Sequence, residues 1–307
     1  MATPVLSIVM SVFNAEAYIK NAIDSILNQT FTNYELIVIN DGSTDNTASI
    51  LNQYKDSRIV ITTQHNKGLV ASLKTGIKIA QGKYIARQDA DDMSEPTRLE
   101  KQVKVLEDTA GVIIVGCSIK VMNMSGKITH QHHVLINSPE LKQELLLRSP
   151  FAHGSVMMRR DAYLESGGYH DADWPAEDYG LWLRMSPLGD FKNIDEPLYI
   201  YRENKKGISS TNSGLQTQKV IKIQDEAWEQ KTRLLRSGRI NLTYYLDLEN
   251  SHERIERIIR TNAWISRKSI ACLDAVTAIR AAGTIYSNKV TYTKLAGKLK
   301  RRIKKHI

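Results

Sequence analysis

Val5-Leu6-Ser7-Ile8-Val9-Met10-Ser11-Val12-Phe13 and Tyr34-Glu35-Leu36-Ile37-Val38-Ile39-Asn40 are two apolar, β-branched runs of strand length. Between them, Ala15–Asn28 places Ala22, Ile23, Ile26 and Leu27 at helical spacing. A strand, a helix and a second strand in that order form a crossover unit with parallel strands. The pattern then repeats: Arg58–Thr63 and Tyr84–Gln88 read as strands, with Thr44–Tyr54 and Leu69–Ala80 as the helices between. In such sheets ligands gather beyond the carboxyl ends of the strands, so the residues that follow each strand are the first to inspect.

Further along, Val112–Met122, Ser155–Arg159 and Leu198–Tyr201 read as additional strands spaced by helical stretches. The expected fold is α/β, with a mixed, mainly parallel central sheet flanked by helices. Gly214–Arg236 reads as one amphipathic helix and Ser251–Ala282 as one or two more, giving a C-terminal helical extension. Lys, Gly, Ser, Thr and Asn crowd together at Asn204–Gly214, so a boundary is expected there, with a catalytic domain over 1–210 and a basic helical region over 211–307.

Composition excludes several classes. A hydrophobic share of 42% and a charged share of 24% in 307 residues are those of a globular chain and not of a disordered or collagen-like one. Cys117 and Cys272 stand far apart with no metal-type spacing, which points to a reducing, cytoplasmic compartment. Neither a secretory leader nor an apolar stretch of about 18 residues is visible. The net charge of +9 is uneven: thirteen Lys/Arg and one acid follow Glu256, leaving 29 basic and 32 acidic residues in Met1–Glu256. The basic character therefore belongs to the tail.

Three acidic clusters fall at or near expected strand ends. Asn40-Asp41-Gly42-Ser43-Thr44-Asp45 follows the second strand, and is either a turn that caps the next helix or a site where Asp41 meets a base or ribose. Gln88-Asp89-Ala90-Asp91-Asp92 follows the fourth. Three carboxylates within four positions repel one another unless a cation or strong donors compensate, and hard oxygen ligands suit Mg²⁺ or Mn²⁺. Glu177-Asp178 opens a helix running through Leu181, Trp182 and Met185; the acids either favour the positive end of that helix or form a base with a neighbouring carboxylate that orients it.

In order and spacing, Ser7–Asn14, Asn40–Asp45, Asn66-Lys67-Gly68, Gly82–Arg87, Asp89–Asp92 and Glu177-Asp178 resemble the motifs of the family 2 inverting glycosyltransferases, which have the A-type, Rossmann-like fold. That resemblance implies a nucleotide-sugar donor, most commonly a UDP-sugar, and a divalent cation, Mn²⁺ or Mg²⁺. Carried over position by position, it implies that Phe13 and Asn14 lie at the base and ribose and that Asp41 binds the uracil or ribose edge. Arg87 and Asp89 would flank the nucleotide, Asp91 hold the metal and Asp92 face the sugar. Asp178 would be the general base with Glu177 beside it. His153 resembles a recurrent position near the diphosphate or acceptor, and equally reads as a structural histidine under the sheet. Arg202 would reach the leaving diphosphate, or else be a solvated arginine. Trp174 and Trp182 are candidates for stacking on sugar rings, Trp182 having the helical spacing of a core residue. Lys74 stands where related sequences often carry Asn, which bears on donor identity.

The implied acceptor is a hydroxyl of a surface glycan or lipid-linked glycan, as in capsule, exopolysaccharide or O-antigen assembly. Leu295, Leu299, Ile303 and Ile307 recur every four residues among Lys294, Lys298, Lys300, Arg301, Arg302, Lys304 and Lys305, the pattern of a basic amphipathic helix on an anionic membrane. The same pattern suits a packed helix with a solvated basic face. The expected location is therefore cytoplasmic and peripheral at the inner face of the cell membrane. A sugar-phosphate nucleotidyltransferase would carry a Gly-rich, Arg-containing loop where this chain has Ser11–Ala15. A non-catalytic glycan- or nucleic-acid-binding protein has no need of both acidic clusters, and no nucleic-acid-binding signature is present.

Overall fold

Strand β1 (Leu6–Val12) is buried on both faces: Leu6, Ile8, Met10 and Val12 enter one apolar cluster and Val9 another. A central parallel strand with helices on both sides of its sheet has this character. The computed structural model describes residues 3–145, 148–204 and 207–236. Its elements, after β1, are α1 (Ile19–Leu27), β2 (Tyr34–Asn40), α2 (Thr47–Leu51), β3 (Ile59–Thr63), α3 (Leu69–Ile79), β4 (Tyr84–Arg87), β5 (Met93–Ser94) and α4 (Arg98–Asp108). There follow β6 (Val112–Met122), β7 (Ile128–His132), α5 (Ser138–Glu144), β8 (Met157–Arg159), α6 (Arg160–Glu165), α7 (Glu177–Met185), β9 (Asp190–Arg202), α8 (Ile208–Thr211) and α9 (Ser213–Arg236).

The strands form one nine-stranded sheet in the order β3-β2-β1-β4-β8-β6-β9-β5, with β7 pairing β6 off that path. Pairings among β1 to β4 and between β6 and β9 are parallel and supply the longer ladders; β8, β7 and β5 join antiparallel. The expected mixed α/β sheet is thus the observed one. One face is covered by α1 and α4 through Ile19, Ile23, Ile26, Leu99, Val103 and Leu106; the other by α3 and α7 through Val70, Leu73, Ile77, Leu181, Trp182 and Met185. Each such aliphatic side chain contributes roughly 1.5–3 kcal/mol on burial, so these two layers hold the strand ends in place.

Local chemistry moves several boundaries. Helix α2 begins at Thr47 and not at Thr44, because the preceding loop is tied to the one after β1. There Asn14 Oδ1 accepts from Thr44 N at 2.8 Å, and the N–H groups of Asn14, Ala15 and Glu16 donate to Ser43 Oγ, Thr47 Oγ1 and Asp45 Oδ2. Strand β9 starts at Asp190, eight residues ahead of the expected run, since its polar first half pairs with β6 despite Pro197. Helix α9 packs on the sheet-bearing unit, where Ile223 is buried and Gln216 Nε2 donates to Pro175 O at 3.0 Å. That unit is Met1–Arg233 by its contacts. No helix among the described residues is long and apolar enough to cross a membrane. The helices expected over Ser251–Ala282 and in the basic tail lie outside the described residues.

Candidate active site

The loops after β1, β2 and β4 meet at the carboxyl edge of the sheet, as the strand order demands. Phe13 is 49% exposed there, beside Asn14, whose φ of +49° is left-handed and is held by the bonds to Ser43 and Thr44. Asp41 is buried: Oδ1 accepts from Gln64 Nε2 and Lys67 N, and Oδ2 from Gly68 N, at 2.7–2.9 Å. Its carboxylate therefore shapes the loop after β3 and keeps about one lone-pair direction free for a ligand. Gly42 closes this corner. Its φ is +75°, and an added Cβ would stand 2.8 Å from Asn66 N, so only glycine fits.

The acidic run after β4 divides into three environments. Asp89 is paired with Arg87, whose Nη2 donates to Oδ1 at 2.6 Å from a side chain 2% exposed. Burial opposes the Arg87 charge, yet Asp89, Tyr169 and Tyr199 together hold its pKa above the ordinary value. Asp91 accepts a long hydrogen bond from Asn204 Nδ2, at 3.3 Å from Oδ2. Asp92 is 1% exposed and its Oδ1 accepts from Arg202 N at 2.7 Å. Burial, then the neighbouring Asp89, raises the pKa of Asp91, and burial with Asp89 and Asp91 raises that of Asp92 well above the carboxylate range.

Arg202 is 6% exposed; Nε donates to Asp91 O at 2.9 Å, Nη1 to Asn123 O at 3.3 Å, and the guanidinium stacks on Tyr18. It is a buried arginine and not a solvated one. His153 opens a 3-10 turn (His153–Ser155) below β8. Its Nε2 lies 2.7 Å from Tyr169 Oη, and its Nδ1 3.8 Å from Glu177 Oε1. Burial and the Arg87 charge push its pKa well below the ordinary value, so the ring is neutral near pH 7.

Glu177 and Asp178 start α7, close enough to Arg87 and Asp89 to feel both charges. Glu177 is buried with Oε2 lacking a hydrogen-bond partner; burial and then Asp178 push its pKa up to about 7. Asp178 is pushed up to about 6, chiefly by burial. Two adjacent carboxyls with raised pKa values in one site suit proton transfer. Trp182 is fully buried, edge-on to Phe151 and His153, which makes it core; Trp174 is 37% exposed. Lys74 Nζ donates to Asp171 Oδ2 at 2.8 Å, joining α3 to the segment that leads into Trp174.

The donor set bears on a cation. Asp91 is the acidic side chain of the run least engaged by the protein, and among the described residues no group of three His, Cys, Asp or Glu side chains could hold a metal ion. Mg²⁺ and Mn²⁺ bound through one carboxylate, water and substrate phosphate oxygens need no such group, so the residues present fit that mode of binding. Several contributors escape sequence reading. Asn204, Tyr199 and Tyr169 touch Asp91, Asp89 and His153 from elements distant in sequence. Arg98 and Gln102 do leave a signal, as polar residues one turn apart on the apolar stripe of Leu99, Val103 and Leu106.

Comparisons with known proteins place the chain in a family. The family model described as Glycosyl transferase family 2 matches residues 7–168. A glycosyltransferase of Haemophilus influenzae whose activity is uncharacterised is 35% identical over 256 residues, covering 80% of this chain and 75% of its own. The O-antigen biosynthesis glycosyltransferase WbnJ of Escherichia coli is 33% identical over 207 residues, covering 66% and 80%. In structure the chain is similar to Staphylococcus aureus TarS residues 1–349 in complex with UDP-GlcNAc, with a TM-score of 0.57, 17% identity, and coverage of 67% of this chain and 60% of that one. At that identity the likeness is one of fold.

Proposed function

This chain belongs to glycosyltransferase family 2, and from that membership we propose that it transfers a sugar from a UDP-sugar to a hydroxyl of a surface glycan or lipid-linked glycan, with inversion at the anomeric carbon. The observation that carries the reading is the meeting of three β-strand ends, bearing Asn14, Asp41 and Asp89–Asp92, with the Glu177-Asp178 pair. Phe13 and Asn14 face the base and ribose, and Asp41 holds the loop over them while offering its remaining lone pair. The donor class is UDP-glucose, UDP-galactose or an N-acetylated counterpart, an inference supported by the UDP-GlcNAc complex of TarS. The O-antigen relative supports a glycan acceptor.

In this reading Asp178 takes the proton of the acceptor hydroxyl as that oxygen attacks C1 and the bond from C1 to the diphosphate oxygen breaks. A single in-line displacement turns an α-linked donor into a β-linked product. Glu177, with a pKa pushed up to about 7, still carries a proton in about half of the molecules at neutral pH, which lessens charge repulsion beside the base. Asp91 would hold a divalent cation, which supplies positive charge to the departing diphosphate. Arg87 holds Asp89 in place, Asp92 fixes the end of the acidic run, and Arg202 braces Asp91 through its carbonyl. His153, held by Tyr169, lies between these groups and Glu177. The assembly works in the cytoplasm, with the basic tail on the inner face of the membrane. Incubation with UDP-glucose, UDP-galactose and their N-acetylated forms plus Mn²⁺ should release UDP from at least one; no hydrolysis or transfer from any of them would remove the proposal.

A further inference from the structure

Arg98, at the start of α4, is 0% exposed, and no carboxylate lies within ion-pairing distance of it among the described residues. An uncompensated buried charge is expensive, so its partners must repay desolvation with oriented dipoles. They come from three separate segments. Nη1 donates to Arg87 O at 3.2 Å and Gly154 O at 3.3 Å, Nη2 donates to Gln88 Oε1 at 3.2 Å, and the guanidinium lies 5.4 Å from the centre of the Tyr199 ring. One helical turn later Gln102, also fully buried, donates from Nε2 to Ser155 O at 2.7 Å and Val115 O at 3.1 Å. A planar fork of donors meets several carbonyls at fixed angles, which a lysine ammonium on a flexible stem does not reproduce.

What these bonds hold together is close-packed. A Cβ built on Gly154 would stand 1.9 Å from Tyr199 Oη and 2.6 Å from Asp89 Oδ2, so the His153–Ser155 turn lies directly against the acidic run. Tyr199 Oη in turn accepts from Asp89 N at 3.2 Å. Any drift of the turn would therefore carry Asp89 with it.

We propose that Arg98, assisted by Gln102, is a positioning residue that locks the His153–Ser155 turn to the Arg87–Asp92 segment and so seats the diphosphate half of the donor. The assignment rests on the nucleotide-sugar reading above. It separates the two halves of the donor: the base and ribose depend on the loops after β1 and β2, whereas the diphosphate depends on the segments that Arg98 joins.

The test uses the full chain, with UMP and UDP as probes by calorimetry in Mn²⁺, and amide hydrogen exchange in parallel. Arg98→Lys should weaken UDP by about tenfold or more while UMP stays within about twofold, the scale on which a small displacement acts. Exchange should quicken in 87–92 and 152–155 and stay unchanged in 6–14 and 34–42. Gly154→Ala, which disturbs the same contact from the other side, should give the same split even if Arg98→Lys fails to fold. Equal losses for UMP and UDP in the folded variants, or unchanged UDP affinity in them, would overturn the assignment. If the wild-type chain binds neither nucleotide, the donor reading falls; unchanged exchange at 87–92 in the variants would then overturn the lock independently.

Discussion

Asp92 Oδ1 accepts a hydrogen bond from the backbone N–H of Arg202 at 2.7 Å, although the two residues are 110 positions apart. The last acid of the run is therefore an anchor between the loop after β4 and the end of β9. Removing the acceptor leaves a buried N–H without a partner, so Asp92→Ala should destabilise the fold by about 1–3 kcal/mol. Asp92→Asn keeps an acceptor and should lose much less. Thermal unfolding of the two variants decides the matter: equal midpoints would remove the anchoring role.

Asp91 stands apart from its neighbours because, among the described residues, Asn204 is the one other side chain that hydrogen-bonds its carboxylate. With Asp91 as cation ligand, EDTA should abolish transfer and Mn²⁺ or Mg²⁺ should restore it, while Asp91→Ala resists rescue and unfolds near the wild-type temperature. Full activity in chelator would eliminate the cation.

Asp178 is the proposed base, a role worth typically about 10²–10⁴-fold in rate, so Asp178→Asn should lower kcat by that order and spare donor affinity. The carboxyl must be ionised to accept a proton. Because burial pushes its pKa up to about 6, kcat of the wild-type enzyme should rise with pH through that region. A flat profile between pH 5 and 8, or near-normal turnover in the Asn variant, would assign the base to another group.

Glu177 makes a prediction about stability. Its pKa in the fold, about 7, lies above the ordinary 4.5, so the folded chain binds this proton more tightly than the unfolded chain. Stability from this group is present at low pH and is lost as pH rises from the ordinary value through about 7. Glu177→Gln, neutral at every pH, should unfold at a higher temperature than wild type at pH 8, with the difference closing by about pH 5. A Gln variant less stable than wild type at pH 8 would contradict the burial of an ionised carboxylate.

The tail can be tested without chemistry. Thirteen basic residues follow Glu256, and a chain ending at Asn288 loses the amphipathic repeat and most of the Lys cluster. Such a chain should bind anionic vesicles less than the full-length protein, and salt should weaken the full-length interaction by shortening the screening length from about 10 Å at 0.1 M. Equal sedimentation of the two with vesicles would exclude attachment through this segment.

Much of the fold is visible in the chain because parallel strands buried on both faces must be almost continuously apolar. Val5–Phe13 and Tyr34–Asn40 announce themselves that way, and their observed bounds differ by only a residue or two. Strands β5 and β7 do not. Met93–Ser94 is too short for a period, and Ile128–His132 is an exposed edge with no apolar face to reveal it. The clusters after β2 and β4 were legible because several acids at a strand end are costly without a partner, but their division of labour was not: Asp89, Asp91 and Asp92 differ through Arg87, Asn204 and Arg202, two of which come from a distant part of the chain.

By itself the sequence determined the order of the longer apolar strands and the helices between them, the family, the strand ends at which chemistry collects and the placing of the net basic charge in the tail, since each rests on residues near one another along the chain. Tertiary structure alone decided which carboxylate is anchored and which stays available, and that Arg202 is buried against Tyr18. It alone brought Arg98 beneath the acidic run and Gly154 against Asp89. Burial and hydrogen-bond partnership are properties of packing between remote segments, and no local pattern encodes which remote carbonyl a buried side chain will meet.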